Sequence, residues 1–375
     1  LHGLSVHSFT EWKEAAMPIT LAPLKLLEAL TTPHDVDRYT QLFSPMLTVR
    51  ELRAKVELVQ RPTADSTRLT LRPTRQWQGF RAGQFVQVGV LIGGRWHTRC
   101  YSPANSHHTA DGRIELTVKA HAGGLVSQHL YSYAKPGLVL QLGQASGSFV
   151  LPDERPERVL LVSGGSGITP VLSMLRTLID ENYGGEVTFL HYADSPRHVA
   201  YRAELFKLAN TRPDIRIAFG YRTDDPGLDG LFGLDHLAEV APWFADEGTQ
   251  TFLCGPAGLM DSVRAFYAER DLSDRLHAES FVTTLAPVLG EASGVVSFDA
   301  SRTQAKNSGE TLLEQAEAAG LSPEFGCRMG ICFSCTAVKT SGCTRNVLTG
   351  ELNDDPDTEI QICVNAPVGD VIVGI

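Results

Sequence analysis

Cys327-Arg-Met-Gly-Ile-Cys332-Phe-Ser-Cys335 places three cysteines in one short loop, and Cys363 follows 28 positions after the third. The form C-x4-C-x2-C with a distant fourth cysteine is the spacing of a plant-type [2Fe–2S] site. Two irons bridged by two sulfides need four thiolates, and a compact loop supplies three when its backbone folds around them. Gly326 and Gly330 permit the close approach and positive φ that such a loop requires. Its amide N–H groups then hydrogen-bond the sulfurs. Structural zinc is the competing reading, but zinc sites normally use paired C-x2-C knuckles and one such pair is present. Cys343 falls outside the spacing and reads as a spare thiol. Cys363 is the preferred fourth ligand because a strand over 359–364 brings it back beside the loop. The remaining cysteines of the seven, Cys100 and Cys254, are isolated, and an odd total is poor material for a disulfide framework.

Outward from this loop the texture of the chain changes several times. Residues 294–375 add a strand at 295–298 and a helix over 309–320 that ends in glycine. Residues 286–293 read as a linker. Residues 154–285 alternate apolar strands (159–162, 187–192, 215–219, 251–254) with helices (170–179, 201–209), the pattern of a parallel sheet with covering helices. Residues 49–153 carry short alternating strands (54–59, 66–71, 85–90, 114–119, 138–142) punctuated by turn residues, which predicts a small antiparallel barrel. Residues 1–48 form an N-terminal helical extension, with helices over 21–30 and 35–42. The expected fold class is multidomain, β then α/β then α+β.

Composition agrees with this division. A chain of 375 residues exceeds one ordinary core. Hydrophobic content of 43% and charged content of 20% are ordinary for a globular protein. No apolar run approaches the ~18 residues of a membrane span, and residues 1–10 lack the basic segment and apolar core of a secretory signal. A net charge of −10 without a basic stripe excludes the nucleic-acid-binding class.

Two further groups of residues carry chemistry. Arg99-Cys100-Tyr101-Ser102 follows a barrel strand, and Val118-Lys119-Ala-His121 leads to Gly123-Gly124-Leu125-Val126-Ser127 at a helix start. Arginine suits a flavin phosphate, a tyrosine ring packs on isoalloxazine, and a serine hydroxyl reaches its N5. Small residues at a helix N-terminus suit a pyrophosphate. Beyond them, a strand runs into Gly164-Gly165-Ser166-Gly167-Ile168-Thr169-Pro170, a second pyrophosphate-type turn that differs from the G-x-G-x-x-G fingerprint of simple dehydrogenases. Cys254-Gly255-Pro256 ends another strand. Near the second strand, Asp194-Ser195-Pro196-Arg197 falls where an adenosine ribose belongs: Ser195 and Arg197 suit a 2′-phosphate, Asp194 an unphosphorylated ribose, and Arg202 and Arg222 add positive charge nearby.

In order and spacing these motifs resemble the ferredoxin–NADP reductase superfamily, and within it the members with a C-terminal plant-type ferredoxin domain. The resemblance covers about residues 50–375. It implies an antiparallel flavin-binding β-barrel, a parallel-sheet nicotinamide-binding domain and a β-grasp ferredoxin domain. It assigns flavin contacts to Arg99, Tyr101, Ser102, Val118, Lys119, His121, Gly123, Gly124 and Ser127. The nicotinamide contacts it assigns are Gly164, Gly165, Gly167, Thr169, Pro170, Cys254, Gly255 and Pro256. Phe281, in Glu279-Ser-Phe281, resembles the family's aromatic residue at the flavin face. Tyr101, Ser102 and Cys254 are the candidate catalytic residues. Gly147-Ser148-Phe149 departs from the longer glycine-proline stretch of many relatives. FAD is favoured over FMN by the 118–127 stretch, and NADPH over NADH because cationic groups outnumber the single acid.

A nicotinamide gives two electrons as hydride, a [2Fe–2S] cluster takes one, and a flavin does both, so the three sites together predict a two-to-one electron splitter. The domain order resembles reductase components of bacterial oxygenases. The 1–48 extension and Asp35-Val-Asp-Arg-Tyr-Thr-Gln-Leu-Phe resemble the actinobacterial reductases that serve membrane acyl-CoA Δ9-desaturases. The first expectation is electron supply to such a desaturase. The second is a soluble aromatic-ring, steroid or alkane oxygenase, and the third a redox-sensing module without turnover, which the intact motifs disfavour. The implied location is cytoplasmic, meeting the inner face of the plasma membrane through the partner.

Overall fold

The computed structural model describes residues 37, 40, 43–222, 227–281, 293–326, 330 and 333–375. Contacts divide the chain into two units, Leu1–Glu51 and Leu52–Ile375. In the first, the buried carboxylate of Asp37 accepts the backbone N–H groups of Val49, Arg50 and Glu51. The helices expected over 21–30 and 35–42 lie outside the described residues apart from Asp37 and Thr40, as does the 286–293 linker apart from Ser293.

The second unit is built on three sheets. Strands β1 (Arg53–Thr63), β2 (Ser66–Pro73), β3 (Val86–Ile92), β4 (Arg95–Tyr101), β5 (Ile114–Lys119) and β6 (Val139–Leu142) form an antiparallel sheet in the order β4-β3-β6-β1-β2-β5. Strict alternation in β5 buries Ile114, Leu116 and Val118 and leaves Glu115, Thr117 and Lys119 half-exposed, the period-2 pattern of a strand with one face on a core. A bridge from Pro103 to Leu116 lays the chain after β4 onto β5 and closes the ring. Helix α1 (Leu125–Tyr133) inserts Val126 and Leu130 into this core. One expectation is corrected here: Arg99 to Tyr101 do not follow a strand but end β4, paired with Val86–Val88 of β3. Polar residues at His97, Thr98 and Arg99 hide that strand from a hydrophobic pattern.

The second sheet is parallel. Its elements are β7 (Arg158–Gly164), α2 (Ile168–Asp180), β8 (Glu186–Ala193), α3 (Arg202–Thr211), β9 (Ile215–Tyr221), β10 (Leu228–Asp229), α4 (Leu234–Val240), β11 (Thr249–Cys254), α5 (Ala257–Ala268) and β12 (Leu276–Glu279). The order β10-β9-β8-β7-β11-β12 reverses direction between β7 and β11. In such sheets ligands bind in the crevice beyond the carboxyl ends of the strands at this reversal. β7 is buried on both faces: Leu161 joins α2 in one core, and Leu160 and Val162 join Met260 and Val263 of α5 in another. The first of these cores also takes Ala82, Ala104, Phe149 and Leu151 from the barrel side, so α2 is shared by two lobes.

The third sheet is mixed: β13 (Val295–Phe298), β14 (Thr303–Lys306), β15 (Thr336–Asn346), β16 (Leu352–Asn353), β17 (Thr358–Gln361) and β18 (Asn365–Val373), in the order β14-β13-β18-β15-β16 with β17 also pairing β15. Helix α6 (Leu312–Ala318) packs Leu312, Leu313 and Ala316 with Val296, Phe298 and Val371, the β-grasp arrangement. It begins at Leu312 rather than Gly309 because Thr311 caps it: its hydroxyl accepts the Glu314 N–H, and the Glu314 carboxylate accepts the Thr311 N–H at 3.1 Å. Cys363 is also corrected, since β17 stops at Gln361 and Cys363 lies in the turn before β18. Among the described residues no helix is long and apolar enough to cross a membrane.

Candidate active site and cluster loop

A cleft of about 920 Å³ opens beyond the carboxyl ends of β7 and β11, with the ends of β4 and β5 and the start of α1 as its other wall. On the barrel side Arg99, Tyr101, Ser102, Lys119, His121 and Gly124 line it, with Ser127 beneath. Burial raises the Tyr101 phenol pKa and keeps it neutral. The Ser102 Oγ is buried without a hydrogen-bond partner among the described residues, an arrangement that native proteins rarely leave unsatisfied. Gly124 caps α1 without a side-chain acceptor, so the first N–H groups of the helix stay open to an anion. Ser127 braces this turn instead, its Oγ donating to the Gly124 carbonyl at 3.1 Å. The orphaned hydroxyl, the aromatic ring and the open helix end fit the flavin and its phosphates. Val118 and Gly123 do not line the cleft: Val118 points into the barrel core, and Gly123 supplies the turn at φ +79°.

Across the cleft stand Gly164, Gly165, Thr169, Gly255, Pro256 and Phe281. Two glycines explain the geometry. A Cβ on Gly167 would lie 2.2 Å from the Cys254 carbonyl oxygen, so the turn after β7 packs directly on the end of β11. Gly165 has φ +53° and open space where a Cβ would be, facing the ligand side. Gly167 and Pro170 are buried behind this wall. Cys254 is also behind it: its side chain is fully buried, and burial followed by the charge of Glu279 holds its thiol pKa well above the usual value. The sulfur is thereby a neutral packing group, with the backbone after it forming the cleft.

Beyond the ends of β8 and β9, Arg222 and Asp194 both line the cleft and form an ion pair, Nε to Oδ1, at 3.1 Å. Ser195 and Arg197 are not among the lining residues. Ser195 is buried, its Oγ 3.0 Å from Nδ1 of His198, and His198 takes its place on the wall. Glu279 also lines the cleft, a carboxylate to which the sequence alone assigns no role. Glu279 ends β12 beside Cys254, its Oε2 is buried without a hydrogen-bond partner among the described residues, and desolvation pushes its pKa up to about 8. The Glu-Ser-Phe segment was its only signal.

A partly buried cluster is among the contacts that join the two lobes. Arg176 of α2 donates to Glu115 at 2.8 Å and to the Ala104 carbonyl at 2.7 Å on the barrel, and to both oxygens of Glu204 on α3. Arg68 and Arg176 both approach the Tyr201 ring, their guanidinium carbons 4.1 and 5.2 Å from its centroid.

In the third sheet Cys335 and Cys363 are both buried in one cluster, and the Cys335 carbonyl accepts the Ile362 N–H at 3.1 Å. The Gln361 Nε2 donates to the Gly330 carbonyl at 2.7 Å and ties the cysteine loop to β17. Cys343 lies eight residues beyond Cys335, past two register shifts in β15, where it pairs with Val368 of β18 and is half-buried. Cys327 and Cys332 lie outside the described residues. Two buried cysteines from distant positions brought to one glycine-rich loop fit a four-thiolate cluster.

Comparison with known proteins gives the same three parts. Residues 53–150 match the oxidoreductase FAD-binding domain family, 161–265 the oxidoreductase NAD-binding domain family, and 297–367 the 2Fe-2S iron-sulfur cluster binding domain family. An NADPH oxidoreductase of Mycobacterium tuberculosis is 36% identical over 355 residues, spanning 94% of this chain and 91% of that protein. The glycine betaine monooxygenase reductase subunit of Pseudomonas aeruginosa is 32% identical over 321 residues, 78% of this chain and 87% of that protein. Among solved structures, phthalate dioxygenase reductase shares the fold with a TM-score of 0.61 at 24% identity, covering 87% of this chain and 98% of that one.

Proposed function

We propose, for a chain that belongs to the ferredoxin–NADP reductase superfamily and to its members with a C-terminal [2Fe–2S] domain, that NADPH is the electron donor and an oxygen-activating protein the acceptor. The chain is an NAD(P)H-dependent oxidoreductase with FAD-binding, NAD-binding and [2Fe–2S] domains. The observation that carries the proposal is the single cleft onto which the barrel residues Arg99–Ser102 and the glycine turns of the parallel sheet both open.

When bound, the flavin takes a hydride from the nicotinamide and the cluster carries electrons singly. The protein's part is placement. Arg99 and the α1 N-terminus hold the flavin phosphates, Tyr101 packs against the ring system, and Ser102 offers its hydroxyl to it. The α2 N-terminus holds the dinucleotide pyrophosphate, and Phe281 closes the flavin face until nicotinamide enters. Arg222, paired with Asp194, meets the 2′-phosphate. Neutral Tyr101 and neutral Cys254 keep the hydride path free of charge. Cys327, Cys332, Cys335 and Cys363 hold the cluster.

The NADPH oxidoreductase name of the mycobacterial relative supports the choice of dinucleotide, and comparing NADPH with NADH in steady state tests it. For the acceptor, the 1–48 extension favours a membrane fatty acyl-CoA desaturase at the inner face of the membrane. The oxygenase-reductase names of other relatives support an oxygenase as the second reading. Co-purification identifies the acceptor. Deleting residues 1–45 tests the extension: loss of transfer to the partner with intact NADPH–ferricyanide activity supports docking through it, and unchanged transfer refutes that. Cys332→Ser should spare ferricyanide reduction and abolish cytochrome c reduction; retention of both would refute the route through the cluster.

A further inference from the structure

We infer that Gln87 of β3 and Ser334 of the cysteine loop form the positioning contact that holds the cluster against the flavin lobe, so that electrons cross where these two side chains meet. The inference rests on the function proposed above and names the seam that this function needs.

The contact joins two braced pieces. Ser334 lies between Cys332 and Cys335, and its Oγ donates to Gln87 Oε1 at 3.5 Å. The Phe333 carbonyl accepts both the backbone N–H and the hydroxyl of Thr336, at 3.2 and 2.7 Å, so the loop beside Ser334 is fixed. Gln87 is fixed on both sides: it pairs with Cys100 of β4, and its carbonyl accepts the Gly143 N–H at 2.8 Å. A Cβ on Gly143 would lie 3.1 Å from the Gln87 Cβ, so glycine there lets the two strands close on the glutamine. A second contact runs beside the first. The Arg99 guanidinium carbon lies 5.4 Å from the centroid of Phe325, two residues before Cys327. Arg99 and Cys100 both line the flavin cleft. The strand pair that holds the flavin therefore also touches the cluster loop on each flank. A contact anchored on a strand at one end sets a gap more closely than a loop-to-loop contact.

The redox balance is simple. One hydride enters from NADPH, two electrons leave the flavin one at a time, and one proton returns to solvent. Each electron reduces one ferric iron of the cluster, which is reoxidised by a one-electron protein acceptor before the next crossing.

The test uses the holoenzyme with Gln87→Ala, Ser334→Ala, Ser334→Thr and the Gln87→Ala/Ser334→Ala double variant. Stopped-flow absorbance separates reduction of the flavin by NADPH from reduction of the cluster. Flavin reduction should be unchanged, while cluster reduction slows about fivefold in each alanine variant, the factor one neutral hydrogen bond is worth. The losses should not add in the double variant, and Ser334→Thr should retain most of the rate. Hydrogen exchange at residues 333–336 should rise in Gln87→Ala, which leaves the cluster loop's own sequence intact. Wild-type cluster reduction in both single alanine variants, or fully additive losses, would overturn the inference. Absence of flavin or cluster absorbance in the wild-type protein would instead overturn the function on which it rests.

Discussion

Glu279→Gln should make the protein more stable at alkaline pH while costing it about 1 kcal/mol at pH 5. The carboxylate ends β12 inside the cleft, its Oε2 is buried without a hydrogen-bond partner among the described residues, and burial moves its pKa from 4.5 to about 8. A folded-state pKa above the unfolded value means that the native protein binds the extra proton. Its stabilising effect is complete below pH 4.5 and is lost as pH rises through 8. At 1.36 kcal/mol per unit, the wild type gives up about 4–5 kcal/mol across this window. Glutamine carries no charge to desolvate, so the variant escapes that loss at the cost of about 1 kcal/mol for its own buried amide. Thermal unfolding of wild type and variant at pH 5, 7 and 9 measures the difference. The variant's Tm should exceed the wild type's by several degrees at pH 9, given that 1 kcal/mol moves Tm by about 2–4 °C in a domain of 150–250 residues. Parallel Tm curves for the two proteins across the whole range would refute the reasoning.

Three further outcomes follow from the same geometry. Gly167→Ala drives a methyl into the Cys254 carbonyl, 2.2 Å from where its Cβ would sit, and should weaken dinucleotide binding by at least tenfold in a fluorescence titration, since the turn must shift by more than a rotamer change. Glu181 has its pKa lowered to about 2, first by its hydrogen bonds to Arg155 and then by His108, with burial opposing. Its contribution, reduced by solvent screening to about 1 kcal/mol, is present above pH 4.5 and lost as pH falls toward 2, so Glu181→Gln should lower stability at pH 7 and flatten the acid limb of a Tm profile. Arg222→Gln should lower kcat/KM for NADPH about tenfold or more, the worth of a charge-assisted hydrogen bond, with little change for NADH; equal losses for both dinucleotides would show that the 2′-phosphate lies elsewhere.

The sheets were legible in the sequence where a local pattern encodes them. Val159–Val162 is continuously apolar because β7 is buried on both faces, and residues 114–119 alternate because β5 has one face on the barrel core. Strand β4 escaped because polar His97, Thr98 and Arg99 break the expected apolar alternation, Arg99 as a residue of the cleft wall. The cleft itself was legible in its glycine turns and Arg-x-Tyr-Ser run, whose chemistry is local. What escaped depends on partners far apart in the chain. Asp194 and Arg222 meet only because β8 and β9 are adjacent, and Arg176 reads as a helix-surface cation until the barrel brings Glu115 and the Ala104 carbonyl to it. Val118 reads as a binding residue by its neighbours, but strand parity turns it to the core. Glu279 is one carboxylate among 43 acidic residues, and apart from the Glu-Ser-Phe segment around it only burial marks it.

The central claim is that NADPH reduces a flavin and a [2Fe–2S] cluster held in this one chain. Anaerobic titration of the purified protein with NADPH, followed by visible absorbance and electron paramagnetic resonance, tests it most directly. The account predicts a brown-yellow protein whose flavin and cluster bands both bleach, with a paramagnetic signal from the reduced cluster. A protein that stays colourless after anaerobic reconstitution with FAD, iron and sulfide would contradict it. So would one whose flavin bleaches while an assembled cluster remains oxidised.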